Sequence, residues 1–443
     1  METRQTVDLL IHNGIVVTMD RDERLYEDGA VAVRGTDIVM VGPSASVQAQ
    51  VTAHTTLDAN GQVVLPGLIN AHTHAAMTIF RGLVDDIPLE PWLQKIWQVE
   101  SEYANAGNVR VGSELAFVEM IRSGTTTAAD MYWHRDVTAE VAKQVGFRLV
   151  NGPSFIEFVG PDGIRPEERE PLAREYLERY QNDPLITICV QAHATYTVPT
   201  ELLEEIGALA QEYDALFVTH ASESAAEVAT IQARFGKTPL EYLDSLGLLG
   251  PKTLLAHCIH LRDDEIQLLA ERGASVVHCP ESNLKVGAGI ARISDMLKAG
   301  VNVGLGTDGA ATNNDLDLWG EMHTAALLQK GVRQDPTAMP APETFRLATV
   351  GGASALNLED KIGSLEAGKR ADIILVDFDQ PHLTPLYNVY SHLVYAVNKA
   401  DVRTVLINGQ VVMRNRELLT LDEEAVKTRA CEAGFRIRNS STD

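Results

Sequence analysis

Pro66-Gly67-Leu68-Ile69-Asn70-Ala71-His72-Thr73-His74 is the stretch whose reading decides the fold. The run before it, Gln62-Val63-Val64-Leu65, is short and apolar, and Pro66-Gly67 punctuates it, so the segment reads as a buried strand approach. Alternate residues of a strand share a face, which sends His72 and His74 one way and Thr73 the other. Two imidazoles projecting together from one strand end can take a single divalent ion. A bare His-x-His is also what two packed core histidines look like, so the later strands have to decide between the two.

Those strands repeat the pattern. Ile186-Thr187-Ile188-Cys189-Val190-Gln191 runs into Ala192-His193. Ala215-Leu216-Phe217-Val218-Thr219 ends in His220, with Glu223 three residues on. Thr253-Leu254-Leu255-Ala256 ends in His257 and continues Cys258-Ile259-His260. Val301 to Thr307 ends in Asp308, after which Gly309 is expected to let the backbone turn away. An isolated acid at a strand end is ordinarily a turn or helix cap. Five strands all ending in His or Asp are not turn chemistry, and they predict a metal site.

The spacing around them sets the architecture. Candidate strands end near Ala71, Met131, Ser154, Ala192, Thr219, Ala256, His278 and Thr307. Helical patterns lie between, as over Thr200 to Glu212 and Ala225 to Phe235. Strands alternating with helices are the signature of parallel βα units, and eight of them predict a (β/α)8 TIM-like barrel, with its chemistry where strands end and βα loops begin. The two chain ends have a different texture. Val7 to Ile11 and Gly14 to Thr18 flank Asn13-Gly14, a tight-hairpin signal, and Ala30 to Val33 and Ile38 to Val41 flank Arg34-Gly35-Thr36-Asp37. Ala371 to Val376 and Val402 to Ile407 read as strands, and Asn408-Gly409 turns the second into Val411-Val412. Neither end is long enough to stand alone. Residues 1–62 and 364–443 are therefore expected to form one small composite β-sandwich domain, with 63–363 as the barrel.

Composition narrows the function classes. The chain has 443 residues, is 45% hydrophobic, and carries 37 Lys and Arg against 61 Asp and Glu, a net charge of -24. That excess of negative charge repels nucleic acid and anionic membrane surfaces, so neither is an expected partner. Four scattered cysteines (Cys189, Cys258, Cys279 and Cys431) do not make a disulfide framework and read as reduced thiols. The first residues lack the apolar core of a signal segment, and no uninterrupted apolar window is long enough to span a membrane, so a cytoplasmic protein is the expectation.

Taken together, the motifs resemble the amidohydrolase superfamily and, within it, the adenosine-type aminohydrolases of the 5-methylthioadenosine/S-adenosylhomocysteine deaminase family. The landmarks are Pro66 to His74 with Met77 and Arg81-Gly82, His220-Ala221-Ser222-Glu223, His257-Cys258-Ile259-His260-Leu261, Ser282-Asn283-Leu284-Lys285, Gly306-Thr307-Asp308-Gly309 and Ile362 to Gly368. The resemblance runs through nearly the whole chain and implies metal ligands at His72, His74, His220 and Asp308. Binuclear members place a carboxylated lysine at the end of strand four. Here His193 stands in that region with no lysine nearby, which implies one divalent ion per chain, with zinc expected first and iron able to use similar ligands. By the same resemblance Asp308 is also a proton acceptor, Glu223 delivers a proton to the ring nitrogen beside the attacked carbon and then to the departing amine, and His257 holds the water. Glu100, His193 and Thr312 fall where the family contacts purine and sugar, though Glu100 also reads as a solvated helix residue. The loop 155–165 departs from the family, and whether Arg165 or Arg169 meets a substrate carboxylate stays open. His134, His260 and His278 are read as structural. Relatives often self-associate, so a homo-oligomer is expected.

Three functions compete at this point. The first is deamination of an adenine nucleoside: 5′-methylthioadenosine, S-adenosylhomocysteine or adenosine. The second keeps the fold and acts on another N-heterocycle, a pterin, guanine, 8-oxoguanine or a triazine. The third is a non-catalytic scaffold, which every filled ligand and acid position argues against.

Overall fold

The computed structural model describes residues 4–440. Its centre is a parallel sheet of eight strands: β1 (Leu68–Thr73), β2 (Thr125–Asp130), β3 (Arg148–Asn151), β4 (Ile186–Ala194), β5 (Leu216–Ala221), β6 (Thr253–His257), β7 (Ser275–His278) and β8 (Val303–Leu305). Each pairs in parallel with the next in chain order, and Ser154–Phe155 adds a short strand beside β4. The last strand returns to the first. The Asp308 N–H donates to the His72 carbonyl at 3.0 Å, and Thr73 bridges Asp308 in parallel. Asn70 completes the seam, its amide donating to Thr307 Oγ1 at 2.8 Å while its carbonyl accepts the Thr307 N–H at 3.1 Å. The quoted stretch thus opens the barrel and closes it.

Strand periodicity partitions the core. Leu216 and Val218 of β5 join Ile69, Val150, Leu254 and Val277 in one buried cluster, while Phe217 packs into a second, larger one. A period of two then puts His220 on the Leu216 and Val218 side, at the strand's carboxyl end. The helices Thr200–Glu212 and Ala225–Phe235 occupy the predicted spans. Among the described residues no helix is long and apolar enough to cross a membrane.

Both chain ends enter one nine-stranded mixed sheet. Gln62–Pro66 lies in it, antiparallel to Ile373–Asp377 and parallel to Ile15–Val16, and the chain passes from this strand through Gly67 directly into β1. Gly67 is required by proximity, because a Cβ there would stand 2.1 Å from Thr126 Oγ1. Arg148 of β3 ties sheet and barrel together through a buried ion pair with Asp372, Nε to Oδ2 at 2.7 Å. The turns at 34–37 and 408–409 join antiparallel neighbours as expected. Asn13-Gly14 does not. Gln5–Val17 is a single strand along Leu25–Arg34, and Asn13, at φ 64°, makes an irregularity within it. Its N–H donates to Ser44 Oγ at 3.0 Å and its side chain to Asp58 Oδ1 at 3.0 Å, so tertiary partners hold it as a bulge rather than a hairpin turn.

Candidate metal centre and active-site cavity

The strand ends that bear histidines and Asp308 meet at one mouth of the barrel. His72 Nε2 and His220 Nε2 stand 3.2 Å apart. Asp308 Oδ1 lies 3.1 Å from His74 Nε2 and 3.7 Å from His72 Nε2. The outer nitrogens are already spent: His220 Nδ1 donates to the His193 carbonyl at 2.6 Å, and His74 Nδ1 to the Met131 carbonyl. This is how metal-bound imidazoles are commonly oriented, with the far N–H anchored and the near lone pair turned inward. Two nitrogens about 2.0–2.1 Å from one tetrahedral ion would be about 3.3 Å apart, close to the separation found. Burial, and then the neighbouring imidazole charges, hold His72 and His220 well below the usual histidine range, so both are neutral donors. His74 is pulled down by burial but held up more strongly by Asp308, reaching about 9. Three imidazoles and a carboxylate are a donor set that fits a divalent cation, which would take the place of the proton that His74 Nε2 and Asp308 Oδ1 hold between them.

Backbone strain sharpens the convergence. Asp308 itself is left-handed at φ 59°, as are Ser222 at 51° and His257 at 74°. Such conformations are costly for non-glycine residues and gather at functional sites. Gly309, expected to supply the turn, serves a different need: a Cβ there would lie 2.9 Å from Met77 Sδ and 3.2 Å from His74 Cβ.

Around this centre opens a cavity of about 810 Å³, counted to include its open mouth, lined by His74, His220, His257, Asp308 and Glu223 and also by Glu100, His193 and Thr312. Its remaining wall is largely apolar, including Leu93, Ile96, Trp97, Phe155 and Ile156. Glu223 sits on the turn between β5 and the helix Ala225–Phe235, with Oε1 3.8 Å from His257 Nε2. Burial raises its pKa, with His257 partly opposing. That favours the protonated form able to donate. His257 in turn donates from Nδ1 to Asn283 Oδ1 at 2.8 Å, which leaves its Nε2 lone pair toward Glu223 and the cavity.

Glu100 is not a solvated helix residue. Within the helix Leu89–Tyr103 the buried positions are Leu89, Trp92, Ile96 and Glu100, a stripe at helical spacing, and Glu100 is 4% exposed. Tyr132 donates to its Oε1 at 2.6 Å. Burial pushes Glu100 up to about 7, against the opposing Tyr132 bond. His193 Nδ1 pairs with Thr197 Oγ1 at 2.8 Å, and burial, then His74, brings its ring down to about 4. Thr312 lies on the wall but directs its hydroxyl to Asp308 Oδ2 at 2.9 Å and the Gly309 carbonyl at 2.8 Å. The two arginines do not line the cavity. Arg169 is buried in a bidentate pair with Asp162 at 3.0 and 3.1 Å, and Arg165 is exposed beside Glu168. His260 Nε2 pairs with the Ala288 carbonyl, and buried His278 has no hydrogen-bond partner among the described residues.

Several supporting residues had no role in the sequence reading. Ser282 donates to Asp308 Oδ2 at 2.6 Å, Asn283 anchors His257, and Tyr132 braces Glu100. Ser282 and Asn283 belong to a motif already visible in the sequence; Tyr132 carried no signal beyond its place after β2.

A barrel closed by its own first strand, with imidazoles and one aspartate gathered at the strand ends, defines a metal-site hydrolase class. The chain belongs to the amidohydrolase family, whose model matches residues 63–412. It is 48% identical over 423 residues to the 5-methylthioadenosine/S-adenosylhomocysteine deaminase of Syntrophobacter fumaroxidans, covering 95% of this chain and 96% of the relative. It is 41% identical over 429 residues to the 5′-deoxyadenosine deaminase of Methanosarcina mazei, covering 96% and 97%. The fold matches a crystal structure of an adenosine deaminase from Xanthomonas campestris with bound zinc at a TM-score of 0.97 and 41% identity, over 99% of this chain and 100% of that one.

Proposed function

We propose that this chain deaminates adenine nucleosides whose 5′ position carries a small uncharged group, 5′-methylthioadenosine first among them. It is a hydrolase of carbon–nitrogen bonds, and the relatives above bear the names of adenosine-type deaminases. The observation that carries the substrate is the buried Glu100, braced by Tyr132 in the same cavity as Glu223. A carboxylate so placed suits a ribose diol, and the apolar wall around Trp97 and Ile156 suits a thioether or methyl group better than an amino-acid tail. Because Arg169 is already paired with Asp162, S-adenosylhomocysteine ranks below the uncharged nucleosides.

His72, His74, His220 and Asp308 would hold one divalent ion, with zinc the first expectation and iron the second; His72 joins two converging trios, one with His74 and Asp308 and one with His220 and His257, and His257 is kept for the water. The ion supplies a water of lowered pKa, near 7 rather than about 15.7. The chain's own residues do the rest. His257 accepts a hydrogen bond from the attacking water through its free Nε2, and Asp308 takes the water's proton. Glu223 gives its proton to the ring nitrogen beside the attacked carbon, so the ring accepts the electron pair as the new C–O bond forms. Recharged with the proton first held by Asp308, Glu223 passes it to the amine. The C–N bond breaks and ammonia leaves. The added hydroxyl then gives its remaining proton to Glu223 as its C=O bond forms, which restores the acid and leaves the inosine analogue. The division into a 63–363 barrel and a unit built from 1–62 and 364–443 belongs to the same reading; the pairing of Gln62–Pro66 with Ile373–Asp377 supports a seam nearer Gly67.

Two experiments test this reading. Elemental analysis of protein purified without chelator is expected to give about one divalent ion per chain; a value near two, with activity following the second ion, contradicts it. Incubation with 5′-methylthioadenosine should release one ammonia per nucleoside, faster than with S-adenosylhomocysteine. Release from a pterin or triazine with none from nucleosides overturns the substrate assignment.

A further inference from the structure

Glu227 is a buried acid that the mechanism above leaves unused. It is 4% exposed and does not line the cavity, yet it lies one helical turn beyond Glu223. Its Oε2 accepts the Glu223 N–H at 2.8 Å, and its Oε1 accepts the Thr195 hydroxyl at 2.8 Å. Thr195, itself buried, follows directly after β4, two residues past His193. One carboxyl therefore joins the end of the strand bearing His193 to the turn bearing Glu223.

An ordinary helix cap does not account for this geometry. Ser224 is the N-cap of Ala225–Phe235 and accepts the Glu227 N–H at 3.0 Å. A glutamate at the third helical position normally reaches back to the N-cap's own N–H to complete a capping box. Here the carboxylate reaches one residue further, to Glu223, and across to a neighbouring strand. The Glu223 N–H that it accepts belongs to the peptide that follows the left-handed Ser222, at φ 51°, so the bond anchors the turn that aims Glu223 where its backbone is strained.

We propose that Glu227 is a positioning residue for Glu223: by holding its backbone N–H against Thr195, it fixes the angle at which the Glu223 carboxyl meets His257 and the substrate ring. The inference rests on Glu223 being the proton carrier of the proposed function. A displacement of about 1 Å at such a group can cost on the order of 10²-fold in rate. The effect falls on the chemical step, because Glu227 touches neither substrate nor metal ligand.

The test compares Glu227→Ala, Glu227→Gln, Thr195→Val and Glu223→Gln in the metal-loaded enzyme, with kcat and KM for 5′-methylthioadenosine, metal content and Tm for each. Glu227→Ala is expected to lower kcat roughly 10- to 100-fold with KM within about threefold and metal retained. Glu227→Gln, whose amide oxygen can still accept the Glu223 N–H, should recover much of that loss. Thr195→Val should lose about three- to tenfold in kcat, since the carboxyl keeps its bond to the Glu223 N–H. If Glu227→Ala does not fold, the Gln and Val variants carry the test: full kcat in Thr195→Val then contradicts the inference. Wild-type kcat in Glu227→Ala, or a lowered Tm with kcat unchanged, reduces Glu227 to a cap and overturns it. An active Glu223→Gln instead removes the proton-carrier reading on which it rests, so the two failures are separable.

Discussion

Glu223→Gln is expected to retain metal and fold while losing about 10²–10⁴-fold in kcat, the range that a general acid–base group supplies. The amide keeps the size of the side chain and can still receive a hydrogen bond, but it cannot hand over a proton and take one back. Both halves of the reaction need that cycle, first at the ring nitrogen and then at the leaving amine. Glu223 is suited to it because burial raises its pKa, which keeps the proton on the carboxyl closer to neutrality than an exposed glutamate would. The raised pKa also gives the substitution a direction in pH: the acid form is lost as pH climbs through that value, so the wild-type kcat should fall on the alkaline side, and Glu223→Gln should lose that limb. Turnover within a few-fold of wild type, with metal retained, would remove Glu223 from the mechanism.

Much of the barrel was legible because its signals are local. A period of two ending in a histidine is visible in Leu216 to His220, and the helix spans at 200–212 and 225–235 follow from apolar spacing alone. Where partners lie far apart in the chain, legibility stops. Asn13-Gly14 has the composition of a hairpin turn, and only Ser44 and Asp58 make it a bulge within one strand. Gly309 follows Asp308 as a turn residue would, yet it is Asp308 that turns and Gly309 that makes room for His74 and Met77. The helical stripe of Leu89, Trp92, Ile96 and Glu100 could have been read as one face, but whether that face looked into a core or a cavity depended on Tyr132, which lies on another element. Glu227 stood four residues from Glu223 in plain view, but its partner Thr195 lies at the end of the neighbouring strand, about thirty residues earlier in the chain.

Selection of the nucleoside is the second large effect. A site built around a substrate hydroxyl can reject an analogue lacking it by ~10⁴–10⁵-fold, because its own buried polar groups are left unpaired. In the proposed function Glu100 meets that description: it is buried, it lines the cavity, and Tyr132 already holds one of its oxygens. On the proposed function a ribose diol satisfies it and a bare base does not. His193 lines the same cavity, and in the proposed function it is a second polar contact for the sugar, so Glu100→Ala should erase most but not all of the discrimination. The helix Leu89–Tyr103 buries three apolar residues on that face besides Glu100, so the substitution should leave the fold standing.

The most direct measurement is kcat/KM for adenosine, 2′-deoxyadenosine and free adenine, with the wild-type enzyme and with Glu100→Ala, each loaded with one divalent ion. The account predicts adenosine far above 2′-deoxyadenosine in the wild type, adenine near background, and the two nucleosides drawn close together in the variant. Equal values for all three substrates in the wild type would contradict it, and would leave the cavity to a different heterocycle.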